Sequence, residues 1–336
     1  MSVPLRWGIL GTGNIARQFA GGLSSGRHGA MVAVGSRSAD SARSFAQAYG
    51  IASAYGSYDQ VLADPRVEAV YISLPNTLHH PWTLKALRAG KHVLCEKPIA
   101  ACTAQAQEMF DVAEQCGRVL MEAFMYRCHP LTRAVLASVH GGTIGTVRMV
   151  RSSFCYYTAK VQGNIRFSHE LAGGALMDVG CYCINLARAV AGAEPVAVHA
   201  VAHRHSENVD VLTVGTLRFA DGMLSTFSCG MNVQADNTAS LCGDGGYIEV
   251  PIPWKPPPTR AVYSVAHSAP PRMDNPRSAT APPRQTFTID AGAELYALEA
   301  DAFAATVRQA APLPVTAADS LGNMRVLDEM RRQISS

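Results

Sequence analysis

The sequence predicts an α/β chain in two parts: a doubly wound parallel-sheet domain over residues 1–124, then an α+β domain with a large, mostly antiparallel open sheet over residues 125–336. Three observations predict it. A glycine-rich turn joins the first apolar strand to a helical pattern. Strand and helix patterns alternate as far as about Phe124, and beyond that point the hydrophobic period changes to two.

In the first part the pattern reads strand Leu5 to Leu10, helix to about Leu23, strand Ala30 to Gly35 and helix Ala39 to Tyr49. It continues as strand Ala69 to Ser73, helix Pro81 to Ala89, strand His92 to Cys95, helix Thr103 to Cys116 and a strand near Val119 to Met121. Such alternation means parallel strands with crossover helices. After Phe124 a helix at about Pro130 to Val139 leads to period-2 strands Thr146 to Tyr156, Val196 to His203, Val211 to Phe219 and Met223 to Met231. The last two are joined through Asp221-Gly222, a hairpin signal. Pro251 to Pro283 holds ten prolines, too many for a core strand or helix, and reads as a long extended excursion over the surface. Helices Glu294 to Ala310 and Ala317 to Ile334 close the chain.

Composition narrows the function classes. At 336 residues the chain exceeds the size at which one core stops growing. Its net charge of +3 and five scattered lysines form no basic stripe, which argues against nucleic acid and acidic membrane surfaces as partners. No signal-like apolar run opens the sequence and no window approaches a membrane span, so a cytoplasmic location is expected. Nine cysteines without a C-x-x-C pair read as reduced thiols, and eleven histidines without an H-E-x-x-H pattern give no reason to expect a metal. Small-molecule chemistry is the expectation.

The turn Gly11-Thr12-Gly13-Asn14-Ile15-Ala16 has the form of a Rossmann dinucleotide site. Gly11 allows the tight turn, Gly13 lets backbone approach a diphosphate, and Ala16 supplies the small third position. The next strand ends in Ser36-Arg37-Ser38 where an acid would bind a ribose 2′-hydroxyl; an arginine there with no carboxylate favours NADP over NAD. Leu74-Pro75-Asn76-Thr77-Leu78-His79 follows a strand, where Asn76, Thr77 and His79 can bond ribose and carboxamide, or simply cap a helix. Glu96-Lys97-Pro98 also ends a strand, and a proline-stiffened Lys97 would point an ammonium into the cofactor cleft. In Gly173-Gly174-Ala175-Leu176-Met177-Asp178-Val179-Gly180-Cys181-Tyr182-Cys183-Ile184-Asn185, a helix would put Asp178 and Tyr182 on one face with Asn185 a turn further. A helix-start acid and a packed aromatic would give the same spacing.

These motifs, with Met121-Glu122-Ala123-Phe124-Met125-Tyr126-Arg127-Cys128-His129-Pro130, resemble the glucose-fructose oxidoreductase, inositol dehydrogenase and rhizopine-catabolism (Gfo/Idh/MocA) family over nearly the whole chain. Tyr182 and the Met-Glu-Ala-Phe-Met run are most similar to its branch with dimeric dihydrodiol dehydrogenase, NADP-dependent D-xylose 1-dehydrogenase and the sugar 3-ketoreductases. The resemblance implies Lys97 and Tyr182 as catalytic pair, Asp178 as a partner that orients substrate, and the antiparallel sheet as a platform for a homodimer or homotetramer. It departs at Ser168-His169-Glu170-Leu171-Ala172, where the family often has proline-glutamate, leaving His169 either reaching the substrate or filling a loop.

The combined expectation is reversible hydride transfer between NADP(H) and a carbinol or carbonyl carbon of a sugar, cyclic polyol or vicinal diol. Tyr182 would exchange the hydroxyl proton, Lys97 would lower the phenol below its free pKa of about 10, and Asp178 would fix a neighbouring hydroxyl. Arg127, His129 and Arg166 are candidates for the cleft wall. With helices on one face of the second sheet, Val211, Thr213 and Leu217 or their opposites are left needing cover. The rival class is a non-catalytic dinucleotide- or sugar-sensing regulatory protein on the same fold.

Overall fold

The computed structural model describes residues 3–206, 208–267 and 283–335. Its first sheet is built from β1 (Leu5–Leu10), β2 (Gly29–Gly35), β3 (Ser53–Tyr55), β4 (Ala69–Ile72), β5 (His92–Glu96) and β6 (Leu120–Ala123). The strands are all parallel in the order β3-β2-β1-β4-β5-β6, so the order reverses between β1 and β4. A crevice opens at the carboxyl ends of strands flanking such a reversal. The connecting helices are α1 (Asn14–Leu23), α2 (Ala39–Tyr49), α3 (Tyr58–Ala63), α4 (Asn76–Arg88) and α5 (Thr103–Gln115). α4 begins five residues before the expected Pro81, because Pro81 sits inside the helix without ending it. The short pair β3 and α3 is an addition to the expected elements.

The second part comprises α6 (Met125–Cys128), α7 (Pro130–His140), β7 (Val147–Cys155), a π-turn over Leu176–Gly180, α8 (Cys181–Ala191), β8 (Ala197–Arg204), β9 (Asp210–Arg218) and β10 (Leu224–Gly230). β11 (Ala239–Gly243), β12 (Tyr247–Val250), β13 (Ala261–Ala266) and β14 (Arg284–Ile289) extend its sheet, and α9 (Leu295–Gln309) and α10 (Ala317–Ile334) follow. The order is β14-β13-β12-β11-β7-β10-β9-β8, antiparallel except where β7 meets β10. The Asp221-Gly222 hairpin forms as expected, with Gly222 at φ +90°.

The proline-rich stretch differs from expectation. Five of its ten prolines fall at 251–258 and five at 270–283, leaving Ala261–Ala266 free of them, and that run pairs as β13 between β12 and β14. Trp254 is buried, so the stretch 251–258 is a strap on the domain and not a surface excursion. Residues 268–282 lie outside the described residues.

Alternation assigns the two faces of the second sheet. The row Leu217, Ser225, Val150, Leu241 is buried beneath α8 and α10. The row offset by three positions pairs Val201 with Val214, which are 71% and 46% exposed, and Leu224 on the same face is 50% exposed. Val211, Thr213 and Leu217 are thus buried, and their opposites are bare. α9 turns back onto the first part, lying on α1 with Phe303 against Trp7 at 5.2 Å between ring centroids.

Candidate active site

A cleft of about 520 Å³ runs from the α1 N-terminus, past the ends of β4 and β5, to the π-turn before α8. At its cofactor end Gly11 adopts φ +108°, and a Cβ there would stand 2.9 Å from Ser73 Oγ. Gly13 precedes α1, no side chain caps that helix, and a Cβ on Gly13 would meet nothing within 4 Å. Free N–H groups therefore face open space, which suits a diphosphate. Asn14 and Ile15 line the cleft, while Thr12 is part of the turn.

At the end of β2, Ser36 is buried and its Oγ accepts from Ser38 N at 3.3 Å. Ser38 caps α2 by accepting from Ser41 N, so it is spent on the helix. Arg37 is exposed, and the nearest following acid, Asp40, lies inside α2 and pairs with Arg43. No carboxylate stands where a 2′-hydroxyl partner would.

The loop after β4 is tied down by its own side chains. Pro75 precedes α4 with no side-chain cap, so Asn76 is free for another task, and its Nδ2 donates to Ala172 O at 2.8 Å. Leu74 and Asn76 line the cleft. His79 is fully buried, with Nδ1 2.9 Å from Pro98 O and Nε2 2.8 Å from Leu74 O. It holds the two strand-end loops together and also lines the cleft. Burial lowers its pKa to about 4.

The reactive cluster crosses between the two parts. Lys97 Nζ donates to Asp178 O at 2.5 Å and to Asp178 Oδ1 at 3.2 Å, and lies 5.1 Å from the centre of the Tyr182 ring. Asp178 Oδ2 accepts from Tyr156 OH at 2.7 Å and from Arg166 Nε at 2.9 Å. Burial would push the Asp178 carboxyl up, yet Lys97 and Arg166 hold it well below the usual range. Burial would likewise depress the Lys97 ammonium, but Asp178, Cys181 and Glu96 together outweigh burial and raise it. Glu96 is buried, takes a hydrogen bond from Tyr71, and burial raises its carboxyl.

Two expectations change here. Three donors already hold Asp178, so it anchors Lys97, Arg166 and Tyr156 before it can orient a substrate hydroxyl. Tyr182 is 4% exposed, walled by Phe124, Tyr126, Phe154 and Trp254, with its hydroxyl on Met125 Sδ at 3.3 Å. Burial, with the nearby Glu96, raises that phenol well above its free value. The expected lowering is not what this geometry produces.

Arg166 reaches the cleft, and Arg127 and His129 do not. Arg127 Nη1 donates to Asn185 Oδ1, which also accepts from Tyr126 OH, and neither Arg127 nor Asn185 lines the cleft. Asn185 stays within a turn of Tyr182 on α8, but its Oδ1 is spent on Tyr126 and Arg127. His129 caps α7 and contacts Pro257 O, and His169 is exposed outside the cleft lining. Sequence reasoning missed Tyr156, Lys255 and Tyr296, which line the cleft. Tyr156 ends an expected strand, so its position was a usable signal; Lys255 was hidden by its prolines. Among the described residues no group of three His, Cys, Asp or Glu could hold a metal ion.

Comparison with known proteins adds independent findings. Residues 5–124 match the model of an oxidoreductase family with an NAD-binding Rossmann fold, and residues 132–249 match the GFO/IDH/MocA C-terminal domain. The chain is 36% identical to trans-1,2-dihydrobenzene-1,2-diol dehydrogenase of Mus musculus over 257 residues, 76% of this chain and 77% of that one. It is 32% identical to D-xylose 1-dehydrogenase (NADP(+)) 2 of Haloferax volcanii over 96% of this chain and 95% of that one. A 3-ketoreductase of Actinomadura kijaniata, crystallised with NADP and TDP-benzene, superposes with a TM-score of 0.87 at 31% identity, covering 98% of each chain.

Proposed function

The chain belongs to the GFO/IDH/MocA oxidoreductase family, and we propose that Lys97 and Tyr182 carry its reaction, hydride transfer between NADP(H) and a carbinol or carbonyl carbon of a sugar, cyclic polyol or vicinal diol. The observation that carries this reading is the Lys97–Asp178 pair lying over the Tyr182 ring inside the cleft that begins at the glycine turn.

The residues present fit NADP: an uncapped α1 N-terminus beside Gly13 for the diphosphate, Ser36 and Arg37 for the 2′-phosphate, and Leu74, Pro75, Asn76 and Glu96 toward the nicotinamide end. When bound, the nicotinamide accepts or supplies the hydride. Tyr182, kept protonated by its apolar surroundings, donates to the oxygen of a carbonyl undergoing reduction and takes the proton back in the reverse direction. The Lys97 ammonium stabilises the negative charge developing on that oxygen. Asp178 keeps the ammonium charged and aimed, and Arg166 forms the substrate-side wall.

We place the protein in a reducing compartment, the cytoplasm, a reading supported by nine unpaired cysteines. The bare face carrying Val201, Val214 and Leu224 supports pairing of subunits as a homodimer or homotetramer through the second sheet. Screening aldoses, ketoses and diols for absorbance change with NADP and NADPH tests the function. Lys97→Met and Tyr182→Phe are expected to lower turnover by roughly 10² to 10⁴ while NADPH affinity stays within a few-fold. Near-normal rates in both variants would remove the catalytic assignment, and binding of NADPH with no reactive substrate would favour a sensor.

A further inference from the structure

The strap over residues 251–258 brings the chain's fifth lysine to the cleft. It is pinned on both sides: Trp254 is buried with Nε1 donating to Ser153 O at 2.7 Å, and Pro257 O meets His129 Nε2 at 3.2 Å. Prolines 253, 256, 257 and 258 stiffen the backbone at and around these anchors. Lys255 is therefore held at the rim by a fixed backbone, and it lines the same cleft as Lys97, Arg166 and Asp178.

The charges there do not balance. Lys97 and Arg166 both spend themselves on the single carboxylate of Asp178. Glu96 is turned to Tyr71 and to the Lys97 backbone N–H. Among the described residues Lys255 makes no hydrogen bond or ion pair, and the Arg166 guanidinium uses only Nε, leaving both Nη groups open. Lys255 is an exposed residue at the cleft rim, where partial desolvation and the neighbouring Lys97 both lower its pKa. A neutral polyol would leave this excess positive charge uncompensated, whereas a carboxylate or phosphoryl oxygen would take charge-assisted hydrogen bonds from Lys255 Nζ and the Arg166 fork.

We propose that Lys255 and Arg166 form an anion subsite, and that the substrate is a sugar or polyol carrying a carboxylate or phosphoryl group beside the reacting carbinol. This rests on the hydride-transfer reading for its substrate class, and the subsite itself is testable by binding alone. Calorimetric titration of the protein–NADP complex with D-glucose, D-glucuronate, glucose 6-phosphate and UDP-glucose separates neutral from anionic ligands and carboxylate from phosphoryl. At least one anionic ligand should bind roughly tenfold or more tightly than D-glucose, Lys255→Met should collapse that ratio, and Lys255→Arg should restore most of it. Equal affinity for neutral and anionic ligands in the unmodified protein, or an unchanged ratio in Lys255→Met, would overturn the subsite. If no ligand in the panel is oxidised or reduced but the ratio behaves as stated, the subsite stands and the hydride-transfer reading fails.

Discussion

Replacing Asp178 by asparagine keeps the side chain's shape and removes the charge that holds Lys97 protonated. Oδ1 lies 3.2 Å from Lys97 Nζ, so at an effective dielectric constant of about 20 the attraction lost is about 5 kcal/mol. The backbone bond from Nζ to residue 178 O, at 2.5 Å, survives the substitution and keeps the lysine in place. What changes is the balance of forces on its proton: burial and Arg166 still disfavour the ammonium, and the main term opposing them is gone. The pKa of Lys97, now raised above its ordinary value, must fall. Asparagine also presents an amide N–H₂ to either Lys97 or the Tyr156–Arg166 pair, setting donor against donor on one side. With a substrate in hand, initial rates between about pH 6 and 9 should show turnover of the variant reduced by roughly 10² at the alkaline end and recovering as pH falls, while the unmodified protein shows no such limb. A variant whose pH profile runs parallel to that of the unmodified protein would refute the claim that Asp178 acts by keeping Lys97 charged.

Arg37→Ala should erase most of a preference for NADP(H) over NAD(H) that is at least tenfold, about 1.4 kcal/mol, and equal dissociation constants in the unmodified protein would contradict the assignment of Arg37. Glu122 accepts from Ile99 N at 2.9 Å in full burial, which raises its pKa from 4.5 to about 7. The folded state thus holds a proton that the unfolded state has released, so stability falls as pH rises from about 4.5 to about 7, by about 3 kcal/mol in all. Denaturant unfolding at both ends of that window should show the slope flattened in Glu122→Gln; an unchanged slope would assign it elsewhere. Sedimentation at micromolar concentration should show at least a dimer, and Val201→Asp with Val214→Asp should dissociate it. A Cβ at Gly173 would stand 2.4 Å from Arg166 O, so Gly173→Ala should displace the Arg166 loop and weaken substrate binding more than cofactor binding.

The first sheet was legible because strand, turn and helix punctuate one another there: β1 and α2 fall on the expected residues, and β5 differs by one. β3 and α3 escaped because a three-residue strand carries no period. Four strands of the second sheet, β11 to β14, were hidden by flanking glycine and proline, whose local signal is strong where the pairing partner is distant in sequence. Lys97, Asp178, Tyr182 and Arg166 could be read as cleft residues because three of them stand at a strand end or a glycine run. Asn185 and Arg127 could not be placed correctly, since they are tied to each other and to Tyr126 by contacts between residues 58 and 59 positions apart, which no local pattern carries. Likewise, the direction of the Tyr182 shift depends on how completely the aromatic wall buries the phenol, which composition does not carry.

The return of α9 onto α1 has a consequence for the order of synthesis. Trp7 and Phe19 are in place once the first strand and helix leave the ribosome, but Phe303, which seals them, arrives only after about 180 further residues beyond β6. At about 5 to 20 residues per second that is a wait of roughly 10 to 40 s. During it the amino-terminal domain carries an unfinished apolar seam, and the nascent chain must keep that seam from other chains until its own carboxyl-terminal helix covers it.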